Sequence, residues 1–256
     1  MITIKSQKEI EILREGGKRL ASILAEVVKE VKAGVSTDYL NTFAENLIKK
    51  GGDKSAFLNY KPKGADRPFP ASLCVSVNDE VVHGIPNEKP KVLEEGDVVS
   101  LDLGLIHKKM FTDHAVTVAV GKPSKDVQKL ITITKEGLMM GIKAAKPGKT
   151  TGDIGFAIES HANPHKLGIV EELAGHGVGY SVHEEPFVPN YGRPGEGVLL
   201  KPGMVLAIEP MFTLGTADID FDDDGYTVRT SDGSMAAHFE HTIVITEDGA
   251  EILTTL

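Results

Sequence analysis

The sequence predicts an α+β fold in which two similar halves share one layer of β-sheet. The predicted elements run in the order helix, helix, strands and then helix, helix, strands again, and this repetition favours two halves. The 256 residues allow one large domain or two small ones, and no stretch has the composition of a flexible linker. A chain of this length can bury a substantial core, and its single cysteine cannot form an internal disulfide.

The first half begins with two predicted helices. Ser6 and Glu9 form a capping-box pattern before apolar residues at helical spacing, and Gly34 supplies a stop. The second helix is expected to begin near residues 36–38 and to end at the glycine pair 51–52. The predicted strands of this half cover residues 73–77, 98–103 and 113–120.

The second half repeats this order. Ser124 can cap a helix that runs to about Lys146, where a Pro-Gly pair stops it. Thr150 or Thr151 is expected to open another helix that ends near Gly168. The predicted strands of this half cover residues 205–209, 226–230 and 240–246.

Composition and charge exclude several classes of protein. The formal net charge of −9 argues against a dedicated nucleic-acid binder, which usually presents a basic face. The uncharged apolar stretches are much shorter than the roughly 20 residues of a membrane span. The N-terminal residues also lack the apolar segment of a signal peptide. We therefore expect a cytoplasmic protein that contacts no membrane.

Three carboxylates interrupt apolar runs that are predicted to be strands. Asp102 lies in VVSLDLGL, Glu209 in MVLAIEPMF and Glu240 in HFEHTIVI. A buried carboxylate requires a cation, a metal ion or a proton, and three in one chain favour a shared cation. Asp113 opens the strand after that of Asp102, which suits a hairpin with the two aspartates side by side. Strand alternation lets all four carboxylates project into one site.

One histidine is the candidate nitrogen ligand. His176 lies in AGHGVGYSVHEEP among glycines that let other groups approach closely. One imidazole with four carboxylates suits Mn²⁺, Fe²⁺, Co²⁺ or Zn²⁺, and two ions balance the four charges better than one. The alternatives are a solvated strand position for each carboxylate alone and an ion-pair network for the set. His107, His161 and His165 are expected to be surface or hydrogen-bonded residues.

Five motifs occur in order along the chain. They are CVSVNDEVVHGIP (74–86), DLGLIHKKMFTD (102–113), GHGVGYSVHEEP (175–186), IEPMF (208–212) and FEHTIVIT (239–246). Together they resemble the type I methionine aminopeptidases, in the short bacterial form. The spacing from His176 to Glu209 is too short for the helical insertion of the type II enzymes. The resemblance implies the pita-bread fold, with two pseudo-symmetric halves around an antiparallel sheet, helices outside, and one catalytic domain over residues 1–256.

The resemblance also implies a site for two divalent metal ions, which could be Co, Mn, Fe, Zn or Ni. The implied ligands are Asp102, Asp113, His176, Glu209 and Glu240. Asp113 and Glu240 would bridge the two ions. Asp102 would complete one site, and His176 with Glu209 would complete the other.

The implied reaction is removal of the initiator methionine when the second residue is small, through attack of an activated water on the first peptide carbonyl. Glu209 would act as general base, His183 would stabilise the oxyanion, and His83 would hydrogen-bond the scissile amide nitrogen. Alternatively, both histidines could only orient carboxylates. Two other functions stay open: an Xaa-Pro peptidase of the same fold, and a binding protein that has lost catalysis.

The resemblance implies a methionine pocket and a set of partners. Cys74 would line the pocket, with Tyr60, Phe69 and Tyr226 as candidate walls. The sequence departs from the family pattern in a longer loop at 59–70 and in Tyr226, where Trp is common. The implied partners are the N-termini of nascent chains, with the ribosome as a candidate, and the chain is expected to be a monomer.

Two further departures lie beside the motifs. Val182 occupies a position that is often Phe, and His114 follows Asp113 where a small or hydroxyl residue is commoner. An imidazole at position 114 could tune metal affinity or face outward on its strand.

Overall fold

The structure is a computed structural model that describes residues 2–256. Within that range the α-helices are α1 (Gln7–Lys29), α2 (Thr37–Gly51), α3 (Lys125–Ala144) and α4 (Thr151–Ala162), and a 3₁₀ turn covers Asn163–His165. The strands are β1 (Lys54–Ser55), β2 (Leu73–Val77), β3 (Glu80–Val82), β4 (Val98–His107), β5 (Met110–Ala119), β6 (Gly168–Ile169), β7 (Ala174–Gly177), β8 (Glu184–Pro189), β9 (Val205–Ile208), β10 (Met211–Thr213), β11 (Ile219–Phe221), β12 (Val228–Thr230), β13 (Ala236–His238), β14 (Glu240–Ile245) and β15 (Ala250–Ile252). None of these helices combines the length and hydropathy that crossing a membrane requires.

Both halves contribute to one sheet of nine strands. Its main path is β1-β4-β5-β14-β9-β7-β8, with β2 paired to β4 and β15 paired to β14. All of these pairings are antiparallel. The halves join where β5 pairs with β14, with Glu240 opposite Ala115 and His241 opposite His114. The predicted α+β class with a shared sheet is therefore confirmed.

The helices begin at the residues that the capping signals predict. Ser6 and Glu9 form the capping box of α1, and Ser36 caps α2. Ser124 caps α3, and Thr150 opens α4. Each side chain accepts a hydrogen bond from a backbone N–H of the first turn, which has no partner within the helix.

Two predicted helix ends are wrong. α1 ends at Lys29, with Glu30 as its cap, rather than at Gly34. The segment that follows pairs instead with a distant part of the chain, where Gly34 donates its N–H to the carbonyl of Leu93 at 2.8 Å. α4 ends at Ala162 rather than near Gly168, because Pro164 has no N–H and its segment forms the 3₁₀ turn.

Each half has an apolar core between the sheet and a pair of helices. In the first half, Leu20 of α1 belongs to a buried cluster with Leu101 of β4. In the second half, Leu138 of α3 and Ile154 of α4 belong to a cluster with Ile243 of β14. α1 and α2 pack on one half of the sheet, and α3 and α4 pack on the other half. The two helix pairs therefore hold the strands in place along the length of the sheet.

Candidate metal centre

The β4–β5 hairpin and its neighbour β14 place three carboxylates on the same face of the sheet. Asp102 lies opposite Ala115, and Asp113 lies opposite Gly104, so the two aspartates are diagonal neighbours. Ala115 also pairs with Glu240 of β14. The small side chain of Ala115 therefore lies between the side chains of Asp102 and Glu240.

The second half contributes an imidazole and a fourth carboxylate. His176 lies opposite Ala207 in the β7–β9 pair, and Glu209 directly follows β9. His176 Nε2 lies 3.3 Å from Glu209 Oε1. Potential metal-binding atoms of Asp113, His176 and Glu240 all lie within 4.8 Å of one another. All five metal ligands predicted from the sequence line one cavity, which we call the central cavity.

Burial leaves carboxylate oxygens of this cluster without partners. Asp102, Asp113 and Glu240 are buried. Within the described residues, Asp102 Oδ1 and Glu240 Oε1 have no hydrogen-bond partner. An unsatisfied buried polar group costs about 1–3 kcal/mol, and divalent metal ions accept carboxylate and imidazole ligands. The donor set therefore fits divalent cations.

The carboxylates differ in their affinity for protons. Burial and repulsion between neighbouring carboxylates raise the pKa of Asp113 and of Glu240 well above the usual range. Burial raises the pKa of Asp102 to about 6. Burial also acts to raise the pKa of Glu209, but the neighbouring imidazoles of His238, His176 and His183 outweigh it, so this pKa lies below its usual value. Glu209 is therefore ionised at neutral pH.

His83 and His183 also line the central cavity. The rings of His183 and His176 are perpendicular, with centroids 4.4 Å apart, and the Tyr60 hydroxyl lies 2.9 Å from His183 Nδ1. Desolvation of the ring and the charge of His176 lower the pKa of His183 to about 3. Burial lowers the pKa of His83. Both imidazoles are therefore neutral at pH 7.

A buried ion pair holds the loop that carries His183. Lys5 Nζ lies 2.7 Å from Glu184 Oε2, and these side chains are only 1% and 8% exposed. The other oxygen of Glu184 accepts hydrogen bonds from the backbone N–H groups of Tyr180 and Ser181. The ammonium group of Lys5 lies 5.0 Å from the centroid of the Tyr180 ring. The N-terminal segment thus fixes the turn before His183.

The central cavity has a volume of about 450 Å³ and a buried apolar end beyond the carboxylates. The residues predicted for the methionine pocket all line it: Cys74, Tyr60, Phe69 and Tyr226. Cys74 lies opposite Asp102 in the β2–β4 pair. Phe69 and Tyr226 pack edge to face with ring centroids 5.2 Å apart. Val182, which replaces a larger residue of the family pattern, is buried in the same apolar cluster.

The long loop at 59–70 closes on itself beside this pocket. Phe69 donates its N–H to the carbonyl of Tyr60 at 2.8 Å, and Asn59 donates to the carbonyl of Phe69 at 2.9 Å. The aromatic side chains at its two ends therefore reach the pocket, and Pro62 and Ala65 between them also line the cavity.

His238 is a further residue of the site that the sequence did not predict. This residue ends β13, is 2% exposed, and has its Nε2 3.4 Å from Glu209 Oε2. Its signal was a histidine within the apolar segment MAAHFEH, two residues before Glu240. Among the histidines not assigned to the site, His107 is hydrogen-bonded as expected, with its Nδ1 2.7 Å from Asp53 Oδ1.

His114 faces away from Asp113 on its strand, but it is buried rather than exposed at the protein surface. Consecutive strand residues alternate, so its side chain lies on the sheet face opposite to Asp113, where it is buried. Its Nδ1 lies 2.5 Å from the backbone oxygen of Glu240, and its ring stacks on His241 with centroids 4.6 Å apart. His114 therefore links β5 to β14 behind the carboxylates.

Comparison with known proteins identifies the family. The model of metallopeptidase family M24 matches residues 11–247. The methionine aminopeptidase of Aquifex aeolicus is 49% identical over 257 residues, which cover 100% of this chain and 99% of that protein. Methionine aminopeptidase 1 of Bacillus subtilis is 44% identical over 254 residues, covering 99% of both chains.

Solved structures agree with this result. The crystal structure of methionine aminopeptidase from Rickettsia prowazekii superposes with a TM-score of 0.94 at 40% identity and covers 100% of both chains. The prolidase from Pyrococcus horikoshii OT3 has a TM-score of 0.76 at 25% identity, and this chain covers 63% of it. The pita-bread fold is therefore confirmed.

Membership of a metallopeptidase family implies the use of divalent metal ions, in agreement with the donor set of the central cavity. The full-length match to the methionine aminopeptidases contrasts with the partial match to the prolidase. The chain belongs to metallopeptidase family M24 and, within it, to the methionine aminopeptidases.

Proposed function

We propose that this chain, as one catalytic domain, removes the N-terminal methionine from nascent proteins whose second residue is small. The observation that carries the proposal is the convergence of five metal-ligating side chains beside the buried apolar end of one cavity. We further propose that it acts in the cytoplasm, as a monomer, on chains that emerge from the ribosome. Analytical ultracentrifugation tests the monomer, and co-sedimentation with ribosomes tests that partner.

The five ligands would hold two divalent metal ions. Asp113 and Glu240 are central in the cluster and would bridge the ions. Asp102 would complete the site nearest the apolar end, where Cys74 lies opposite it. When bound, the cations would lower the pKa of a shared water and polarise the scissile carbonyl. Cobalt, manganese, iron, zinc and nickel all accept this donor set.

Glu209 is the best candidate for the general base. Its low pKa keeps it ionised at neutral pH, so it can accept a proton from the attacking water. His176 and His238 lie 3.3 and 3.4 Å from its two oxygens and restrict the orientation of the carboxylate. A base that is held in place in this way contributes about 10²–10⁴-fold to a rate.

His183 is suited to donate a hydrogen bond to the oxygen of the scissile carbonyl. If the Tyr60 hydroxyl donates to His183 Nδ1, the ring proton is on Nε2. That N–H would then meet the negative charge that develops on the carbonyl oxygen. His83, which is also neutral, would hydrogen-bond the amide nitrogen that becomes the leaving amine.

The reaction is confined to the first residue because the cavity ends at the apolar pocket. Cys74, Phe57 and Phe69 are buried there and surround the space for one side chain. Asp102 lies beside this space and would face the free amine of the substrate. A polypeptide with residues before the methionine has no room at this end.

The direct test is an assay of Met-Gly and Xaa-Pro peptides with chelator-treated protein, before and after Mn²⁺ or Co²⁺ is added. We expect metal-dependent release of methionine and two equivalents of bound metal. Asp113→Asn should abolish both metal binding and release, whereas the exposed control Asp220→Asn should preserve both. Cleavage of Xaa-Pro peptides alone would indicate a prolidase. Folded protein that binds no metal and cleaves neither peptide would indicate a binding protein.

A second measurement separates catalytic from orienting roles of the histidines. His183→Ala and His83→Ala should lower kcat about 10²-fold or more while two metal equivalents stay bound. If either substitution instead releases metal in proportion to the lost activity, that histidine only orients the carboxylates.

A further inference from the structure

Two exposed phenylalanines lie at the mouth of the central cavity, and the proposed reaction does not use them. Phe187 is 57% exposed and Phe221 is 71% exposed, yet both line the same cavity as the carboxylates. Apolar side chains that are exposed together at the rim of a groove mark a binding surface. The third largely exposed phenylalanine of the described residues, Phe156, is 46% exposed on α4 and does not line this cavity.

Strand register places Phe187 directly beside the metal centre. In the β7–β8 pair Phe187 lies opposite His176, and side chains opposite each other in antiparallel strands project from the same face. Its neighbours Pro186 and Val188 are buried on the other face. Phe187 therefore lies one strand, about 4.8 Å, further out than His176.

Phe221 is exposed on a hydrogen-bonded hairpin. It ends β11 and lies opposite Val228 of β12. After it, Asp222 accepts a hydrogen bond from Arg229 Nε at 2.9 Å, and the backbone N–H of Asp222 donates to the carbonyl of Thr227 at 2.8 Å. These bonds hold the hairpin tip, so the exposure of Phe221 is a fixed feature of the rim.

The path of the substrate leads past these two side chains. The first side chain would occupy the buried end near Cys74, and the scissile bond would lie at the carboxylates. The rest of the peptide must leave through the open mouth in an extended conformation, which advances about 3.3 Å per residue. One strand spacing beyond His176 is about one and a half residue lengths, which passes the second residue and reaches the third, and the fourth residue follows next along the rim.

We propose that Phe187 and Phe221 form a binding site for the side chains of the third and fourth substrate residues, with a preference for apolar or aromatic side chains. The inference rests on the proposed aminopeptidase function. Glu172, an exposed carboxylate that lines the same mouth, disfavours acidic side chains at these positions. The enzyme thus reads residues beyond the one that follows the cleaved bond.

The test uses the metal-loaded enzyme and the peptides Met-Ala-Gly-Gly, Met-Ala-Phe-Gly, Met-Ala-Gly-Phe and Met-Ala-Glu-Gly. Partial burial of one phenyl ring should raise kcat/KM about five- to tenfold over the glycine peptide, mainly through KM. The glutamate peptide should be cleaved less efficiently than the glycine peptide. In Phe187→Ala and Phe221→Ala, the ratio of the phenylalanine to the glycine peptides should fall towards one. The matched control Phe156→Ala should keep the wild-type ratio.

Two results would overturn this site. One is a wild-type enzyme that cleaves the phenylalanine and glycine peptides equally well, and the other is a preference that survives in both rim variants. The dipeptide Met-Ala, which does not extend to the rim, tests the proposed function separately. Release of methionine from Met-Ala without any preference among the tetrapeptides refutes only the rim site. Absence of release from every peptide refutes the aminopeptidase function and the rim site with it.

Discussion

Burial should make the ionised form of Asp102 destabilise the metal-free protein. Replacing Asp102 with asparagine, which cannot ionise, tests this expectation. Burial raises the pKa of Asp102 from its ordinary 3.8 to about 6. For an acid whose pKa is raised on folding, the folded state holds the proton more tightly than the unfolded state. Its contribution to stability is therefore fully present below pH 3.8 and is lost as the pH rises through 6.

The size of this loss follows from the two pKa values. One pKa unit corresponds to about 1.36 kcal/mol, so the shift of Asp102 is worth about 3 kcal/mol in all. Because part of this is already lost at pH 4, the metal-free protein should lose about 2 kcal/mol from Asp102 between pH 4 and pH 7. Asparagine does not titrate, and it also removes the repulsion that raises the pKa of Asp113. Both effects make the stability of the variant less dependent on pH.

The assay is urea unfolding of chelator-treated protein between pH 4 and pH 7.5. The free energy of unfolding of Asp102→Asn minus that of wild type should increase by about 2 kcal/mol over this range. A constant offset from altered hydrogen bonding does not matter, because only the change with pH is compared. The exposed control Asp220→Asn should run parallel to wild type. A difference that stays constant or decreases as the pH rises would refute the reasoning.

Three further predictions concern the residues around the centre. Glu209→Gln should lower kcat by about 10²-fold or more, measured by methionine release at saturating peptide. His238→Gln removes the imidazole that lies 3.4 Å from Glu209 Oε2 and helps to lower the pKa of Glu209, so the acidic limb of the kcat–pH profile should move to higher pH; an unmoved limb would contradict this role. Lys5→Met leaves Glu184 buried without its cation, which should cost about 3–5 kcal/mol and lower kcat, whereas Lys5→Arg should retain most of the activity. The control Arg14→Met breaks a more exposed ion pair away from the His183 loop and should leave kcat unchanged.

Much of the candidate site was predictable because its signals are local. Asp102, Glu209 and Glu240 are acids within apolar runs, and the cost of burying a charge indicates a cation wherever such a run forms a strand. Helix starts were equally predictable, because a capping side chain acts on the N–H groups of the next turn. The ends of α1 and α4 were not, because Gly34 pairs with Leu93, which is distant in the sequence, and a proline segment tightens into a 3₁₀ turn.

Other features depend on contacts between distant parts of the chain. His238 lies beside Glu209 only because β13 and the end of β9 meet in the folded protein. Lys5 and Glu184 are 179 residues apart in the sequence, and nothing in either segment alone indicates the pair. The exposure of Phe187 and Phe221 likewise became informative only when both were found at the rim of one cavity.

Which residue types are available, and through strand alternation which of them share a face, could be read from the amino-acid order alone. The tertiary structure alone decided the register of β5 against β14, which brings Glu240 opposite Ala115 and next to the aspartates. A slip of one residue in that pairing would turn Glu240 to the other side of the sheet and disperse the cluster. Alternation is a property of a single strand, whereas register depends on the packing of both halves. For that reason the residue types of the metal site could be predicted from the sequence, but their arrangement in space could not.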